Sequence, residues 1–201
     1  MCNLYRLAKE HAEVARHFRV RNAVLGANLP AQVYPGYPGA VVADGELRQM
    51  TWGFPLTRKG AKGQPLKPRP VNNARSDKLD SYMWRYSFEE RRCLIPLTAW
   101  AEAEGAEGAK TRTWMSMEGQ EVFAAAGIWR ASEEWGEVYS MVMTDAGRAA
   151  AEVHDRMPVL VAEDDWTTWT DGAADEARGL CAAYGGGVRV ERTGERWSRI
   201  E

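Results

Sequence analysis

The chain has 201 residues, 45% of them hydrophobic and 27% charged, with a formal net charge of −2; this predicts one soluble domain, 1–201, whose core needs neither disulfides nor metals. No run reaches the roughly 18 apolar residues of a membrane span, and the N-terminus lacks the pattern of a secretory signal, so no membrane partner and a cytoplasmic location are expected. Cys2, Cys93 and Cys181 are odd in number and widely spaced, which fits neither a disulfide framework nor a zinc site; no metal and no cofactor are expected.

In chain order, AKEHAEVARHFRV (8–20) spaces Ala12, Ala15, Phe18 and Val20 as a helix does. Residues 29–54 are punctuated by Pro and Gly and then alternate like strands, with an Asp-Gly hairpin turn in ADGEL. TRKGAKGQPLKPRPV (57–71) reads as an exposed loop. SYMWRYSFEERR (81–92) predicts a short helix, followed by the apolar strand CLIPL. TWMSMEGQEVFAAAGIW (113–129) reads as strand, Glu-Gly turn and strand, with EVYSMVMT (137–144) the next strand of a meander. TDAGRAAAEVHD (144–155) predicts a helix capped by Thr or Asp and ending near His154, and MPVLV then reads as a buried strand. DDWTTWTDG and ADEARGLCAAYGGG are further helices, the latter stopped by Gly185 to Gly187. Strands fill the middle and helices flank them. The predicted class is α+β, with a mainly antiparallel sheet curled into a barrel.

Charge is unevenly distributed. Between Glu46 and Asp77 there is no acid, while Arg48, Arg58, Lys59, Lys62, Lys67, Arg69 and Arg75 all fall there. Such a stretch is either a solvated loop or a phosphate-facing surface.

Cys2 would become the first residue if Met1 were removed, exposing an α-amine and a thiol on adjacent carbons. The amine, with an ordinary pKa of about 7.7–8.0, can condense with an aldehyde, and the thiol can then close a five-membered thiazolidine. The plain alternative is a small apolar residue that opens a strand. In VNNARSD (71–77), Asn73 beside Arg75 could orient a substrate oxygen while the guanidinium grips a phosphate, or could simply form a turn. Glu102 follows an apolar strand and Trp100, a setting that raises a carboxyl pKa toward acid/base use unless the side chain is exposed. His154, before Asp155 and Arg156, suits proton transfer near neutral pH or a helix C-terminus. His11 and His17 are poorly spaced for a shared ligand face.

Taken in order, Met1-Cys2-Asn3, Tyr37-Pro38-Gly39, Trp52-Gly53-Phe54, Asn73-Ala74-Arg75, Arg92 to Pro96 leading to Glu102, Ala126 to Trp129 and His154 to Pro158 resemble one family. That family is the SOS response-associated peptidase proteins, which shield abasic sites in single-stranded DNA. The motifs run from residue 1 to about 161; residues 170–201 match poorly.

The resemblance implies that Cys2, freed of Met1, crosslinks to the ring-opened abasic aldehyde. It implies that Asn73 positions the N-terminal residue and the sugar, that Glu102 is acid/base for imine formation, and that His154 assists proton transfer, with lyase-type cleavage or reversal as further outcomes. The peptidase activity concerns self-removal of Met1. DNA contacts would come from Arg75, Pro38, Trp52 as a base-stacking surface, and Arg58, Lys59, Lys62, Lys67 and Arg69 of the basic stretch. The expected partner is single-stranded DNA with abasic sites, bound by a monomer. Asn3-Leu4 stands where many relatives have Gly-Arg, and Ala103 follows Glu102 where an aromatic is common. The rival readings are a non-catalytic single-strand binder and an N-terminal nucleophile amidohydrolase.

Overall fold

The computed structural model describes residues 2–197; Met1, with its expected removal, and the end of the charged tail, 198–201, lie outside the described residues. The first half runs β1 (Tyr5–Arg6), α1 (His11–His17), β2 (Arg21–Asn22), β3 (Gln32–Val33), β4 (Pro38–Ala43), β5 (Glu46–Trp52), β6 (Phe54–Lys59), β7 (Pro65–Val71), β8 (Asn73–Arg75), α2 (Arg85–Glu90) and β9 (Arg92–Leu97). There follow β10 (Ala99–Glu104), β11 (Thr111–Met117), β12 (Phe123–Ser132), β13 (Gly136–Asp145), α3 (Arg148–Ala151), β14 (Arg156–Pro158), β15 (Leu160–Val161), α4 (Trp166–Asp171), α5 (Ala174–Gly179) and β16 (Val188–Arg196). Among the described residues no helix is long and apolar enough to cross a membrane.

The turn at Asp44-Gly45 has both residues at positive φ, 51° and 73°. This backbone matches the right-handed twist of paired strands, and so β4 and β5 form an antiparallel hairpin with Ala43 opposite Glu46. β4 continues to β9, β9 to β12 and β12 to β13, all antiparallel. β13 then pairs in parallel with β5 (Val138 with Thr51, Tyr139 with Trp52), so the path β13-β12-β9-β4-β5 returns to its start as a closed barrel. A second sheet, ordered β16-β11-β10-β1-β3, packs beside it. The mainly antiparallel, curled α+β architecture expected from the sequence is the one observed.

Alternate residues along the barrel strands feed two cores. Cys93, Ile95, Tyr139, Met141 and Met143 join Tyr5, Trp100 and Met115 of the second sheet. Leu94, Val138 and Val142 join Val14, Phe18, Phe88 and Trp169 of the helices. Strands covered on both faces read as unbroken apolar runs, which is why CLIPL and FAAAGI show no period of two.

Four expectations need correction. Residues 57–71 are not a loop: β6 and β7 form a two-stranded antiparallel hairpin, Phe54 opposite Val71. This ribbon stands apart from both large sheets, so its prolines remove no hydrogen bond from a central ladder. β11 and β12 do not pair across their Glu-Gly turn; they belong to different sheets. The predicted 144–155 helix contracts to Arg148–Ala151, because its supposed caps are used elsewhere: Thr144 Oγ1 donates to Cys181 O at 3.3 Å and Asp145 pairs with Arg156 at 3.1 Å. The last helix stops at Gly179 rather than near Gly185.

Candidate functional site

β1 lies antiparallel to β10, with Tyr5 opposite Trp100, and the Ala101 N–H donates to Leu4 O at 2.9 Å. This register carries the first residues along β10 beside Glu102. Cys2 is fully buried, its thiol 3.4 Å from Leu4 O. Two side-chain amides grip its carbonyl oxygen: Asn73 Nδ2 donates at 2.8 Å and Asn72 Nδ2 at 2.9 Å. Asn73 is presented by β8, which pairs in parallel with β13 (Met141 with Asn73, Met143 with Arg75). The same strand, β13, carries β14 at its end, Asp145 opposite Arg156, which places His154 just before that pair. One strand therefore sets both Asn73 and the approach to His154.

Burial dominates the electrostatics. It pushes the Cys2 thiol far above its usual range, with the Glu102 charge adding to the effect. Burial also raises the Glu102 carboxyl to about 7, with a smaller push from the charge of Asp155. A carboxyl at this value donates and accepts protons about equally well near neutrality.

His154 is lowered, chiefly by burial, with Asp155 opposing. Its Nδ1 accepts the Arg156 N–H at 2.9 Å, which puts the proton of the neutral ring on Nε2. Asp155 also stands 2.8 Å from Nδ1, an ion pair only for a protonated ring; its side chain is 84% exposed. A well-solvated carboxylate holds such a proton weakly, so the backbone donor decides the tautomer.

Behind Cys2 lies a packed aromatic wall. Tyr5 and Tyr139 share a 2.5 Å hydroxyl–hydroxyl hydrogen bond, and Trp52 meets Tyr5 edge-on at 5.0 Å. Gly39 of β4 passes so close that a Cβ there would collide with both hydroxyls.

The remaining expected residues are placed as follows. Trp52 is not a stacking surface: it is fully buried, and its Nε1–H donates to Asn72 O at 3.0 Å. Its place in an alternating strand gave no warning, because an inward tryptophan and an exposed one share the same period. Arg75 is exposed but engaged by Asp77 through two bonds of 2.9 and 2.8 Å, so a phosphate would have to compete with that carboxylate. Arg58, Lys59, Lys67 and Arg69 lie on the β6–β7 ribbon, with Lys62 in its turn and Pro38 opening β4. Next to the ribbon an open groove of about 430 Å³ is bordered by Tyr37, Trp135, Lys67, Pro35 and Pro70. Sequence reasoning missed Asn72 altogether; the doubled Asn in VNNAR was its only signal.

A model of the SOS response associated peptidase (SRAP) family matches residues 1–191. The chain belongs to this family.

Among SRAP relatives, the abasic site processing protein YoaM of Bacillus subtilis is 25% identical over 142 residues, 65% of this chain and 60% of YoaM. The match thus spans less than two-thirds of YoaM's own length. The abasic site processing protein YoqW of the same organism is 24% identical over 187 residues, covering 84% of this chain and 80% of YoqW. A crystal structure of a Bordetella bronchiseptica protein superposes with a TM-score of 0.79 at 22% identity, covering 96% of this chain and 99% of that one. The two chains share one fold over nearly their whole lengths.

Proposed function

We propose that this SRAP protein processes abasic sites in single-stranded DNA by capturing the ring-opened sugar on Cys2 once Met1 has been removed. The observation that carries this reading is the double amide grip on the Cys2 carbonyl beside a buried Glu102 whose pKa is about 7.

The chemistry follows from these groups. The neutral α-amine of Cys2 adds to the aldehyde carbon, giving a carbinolamine. Protonated Glu102 donates to the departing hydroxyl, water leaves, and an imine forms. The Cys2 thiol then adds to the imine carbon, its proton passing to nitrogen, and the thiazolidine closes. One water is lost overall. Ring closure is intramolecular, so proximity supplies much of its rate. Burial of the thiol keeps it protonated and inert until the substrate arrives. His154, neutral and with its proton on Nε2, serves proton transfer at the sugar. Asn73 Oδ1 is buried without a hydrogen-bond partner among the described residues, which leaves an acceptor for the new amine or for a sugar hydroxyl. Self-removal of Met1 and lyase-type release would use the same Cys2, Glu102 and His154.

The basic ribbon supplies phosphate contacts, and the Tyr37–Trp135 groove takes over the stacking role expected of Trp52. An abasic nucleotide has no base to unstack, which lowers the cost of drawing its sugar inward. Mixing the protein with an abasic single strand and measuring intact mass tests the reading. An adduct lighter than the sum of its parts by one water and stable to denaturation, absent with Cys2→Ala because the amine without the thiol gives only a hydrolysable imine, is expected. An adduct that survives Cys2→Ala would contradict it.

A further inference from the structure

Asn72 is fixed from behind: its carbonyl accepts Trp52 Nε1–H and the Met141 N–H, both at 3.0 Å. Its side chain reaches forward, and Nδ2 donates both to Cys2 O at 2.9 Å and to Asn3 Oδ1 at 3.1 Å. The Asn73 amide holds the same Cys2 oxygen at 2.8 Å. An oxygen held by one donor can still swing about that bond; held by two donors from adjacent residues, it defines the plane of the Cys2–Asn3 peptide.

We propose that Asn72, paired with Asn3, is a positioning residue that orients the Cys2 amine and thiol for attack on the aldehyde. The inference rests on the Cys2 capture reading. When Met1 leaves, the only remaining covalent anchor of Cys2 is its bond to Asn3. The amine and thiol both hang from the Cys2 α-carbon, so fixing the adjoining peptide limits them to rotation about two bonds. Asn3 has a specific use here: its side-chain oxygen receives the second hydrogen of the Asn72 amide. A glycine at position 3 offers no such oxygen, so the pair Asn3 and Asn72 form a unit.

The test uses the mature protein with Asn72→Ala, Asn72→Asp, Asn3→Ala and the double variant Asn3→Ala/Asn72→Ala. The readouts are the crosslinking rate at saturating abasic oligonucleotide and the DNA concentration giving half that rate. Asn72→Ala is expected to lower the saturating rate about tenfold through misorientation, with the half-saturating concentration within twofold of wild type. Asn3→Ala should cause a smaller loss, and the double variant should be no slower than Asn72→Ala alone. A saturating rate within twofold of wild type, or an effect confined to half-saturation, overturns the proposal. If Asn72→Ala fails to fold, the near-isosteric Asn72→Asp, which has no amide donor, carries the same thresholds.

Glyoxylate, a small aldehyde, separates the two readings. If wild type forms the Cys2 thiazolidine with glyoxylate but not with abasic DNA, the substrate assignment fails. The clamp is then judged by the Asn72→Ala rate with glyoxylate, where the same tenfold loss supports it and an unchanged rate overturns it.

Discussion

Glu102 is useful because its environment penalises its charge. Burial raises its pKa from 4.5 to about 7, so the folded chain binds a proton here that the unfolded chain has already released. Across this window the native state holds more protons, and stability must fall as pH rises from about 4.5 to about 7, then level off. Thermal melts across pH 4 to 8 should show that decline, and Glu102→Gln, which cannot ionise, should flatten it. A slope of the same size in Glu102→Gln would assign it to other groups. The same variant should slow crosslinking about 10²-fold or more, the usual range for removing a general acid, measured at saturating abasic DNA. Glu102 was legible because an acid closes an apolar run that holds Trp100, although it lies within β10 rather than after a strand. Asn72 was not legible, since a polar residue at the end of a basic stretch has many ordinary uses.

Among the elements, the β6–β7 ribbon was misread because Pro, Gly and Lys are the residues of loops, and only its isolation from the large sheets lets them sit in strands. Its charges face solvent, which suits them to phosphates. Replacing Lys59, Lys62 and Lys67 with Ala should weaken single-strand binding at low salt and reduce the salt slope by up to about 0.7 per lost phosphate contact, as read by fluorescence anisotropy across a salt series. The saturating crosslink rate should not change, and a fall in that rate would place the ribbon in the chemistry instead. In the adjoining groove, Trp135→Ala should cost about 1–3 kcal/mol of single-strand affinity if a base stacks there; unchanged anisotropy titrations would remove the groove from the DNA path.

The β4 strand makes a different kind of demand. Gly39→Ala would drive a methyl into the Tyr5 and Tyr139 hydroxyls, and overpacking of a rigid wall should cost about 1–3 kcal/mol in a denaturant melt. Stability equal to wild type would show that the wall yields.

At the scale of the molecule, the Asp44-Gly45 hairpin and the strand-rich middle could be read locally, because turn chemistry and apolar runs are local signals. Barrel closure could not. It depends on β5 meeting β13 in parallel, a contact between distant segments that neither one's pattern specifies. The closure matters to the site: β13 carries β8 with Asn73 and β14 beside His154, while the second sheet brings Cys2 alongside Glu102. Segments distant in sequence thus come into reach of one another: Asn73 bonds the Cys2 carbonyl, and Glu102 feels the charge of Asp155, the neighbour of His154. The overall charge of −2 does not oppose a DNA-binding role, because the β6–β7 ribbon carries five basic residues and no acid.

The most direct measurement is intact mass spectrometry of the purified protein, alone and after incubation with an abasic single strand. A chain beginning at Cys2 that gains the oligonucleotide mass less one water, and loses this ability with Cys2→Ala, is the predicted result. A wild-type chain whose mass is unchanged by the abasic strand would contradict the account.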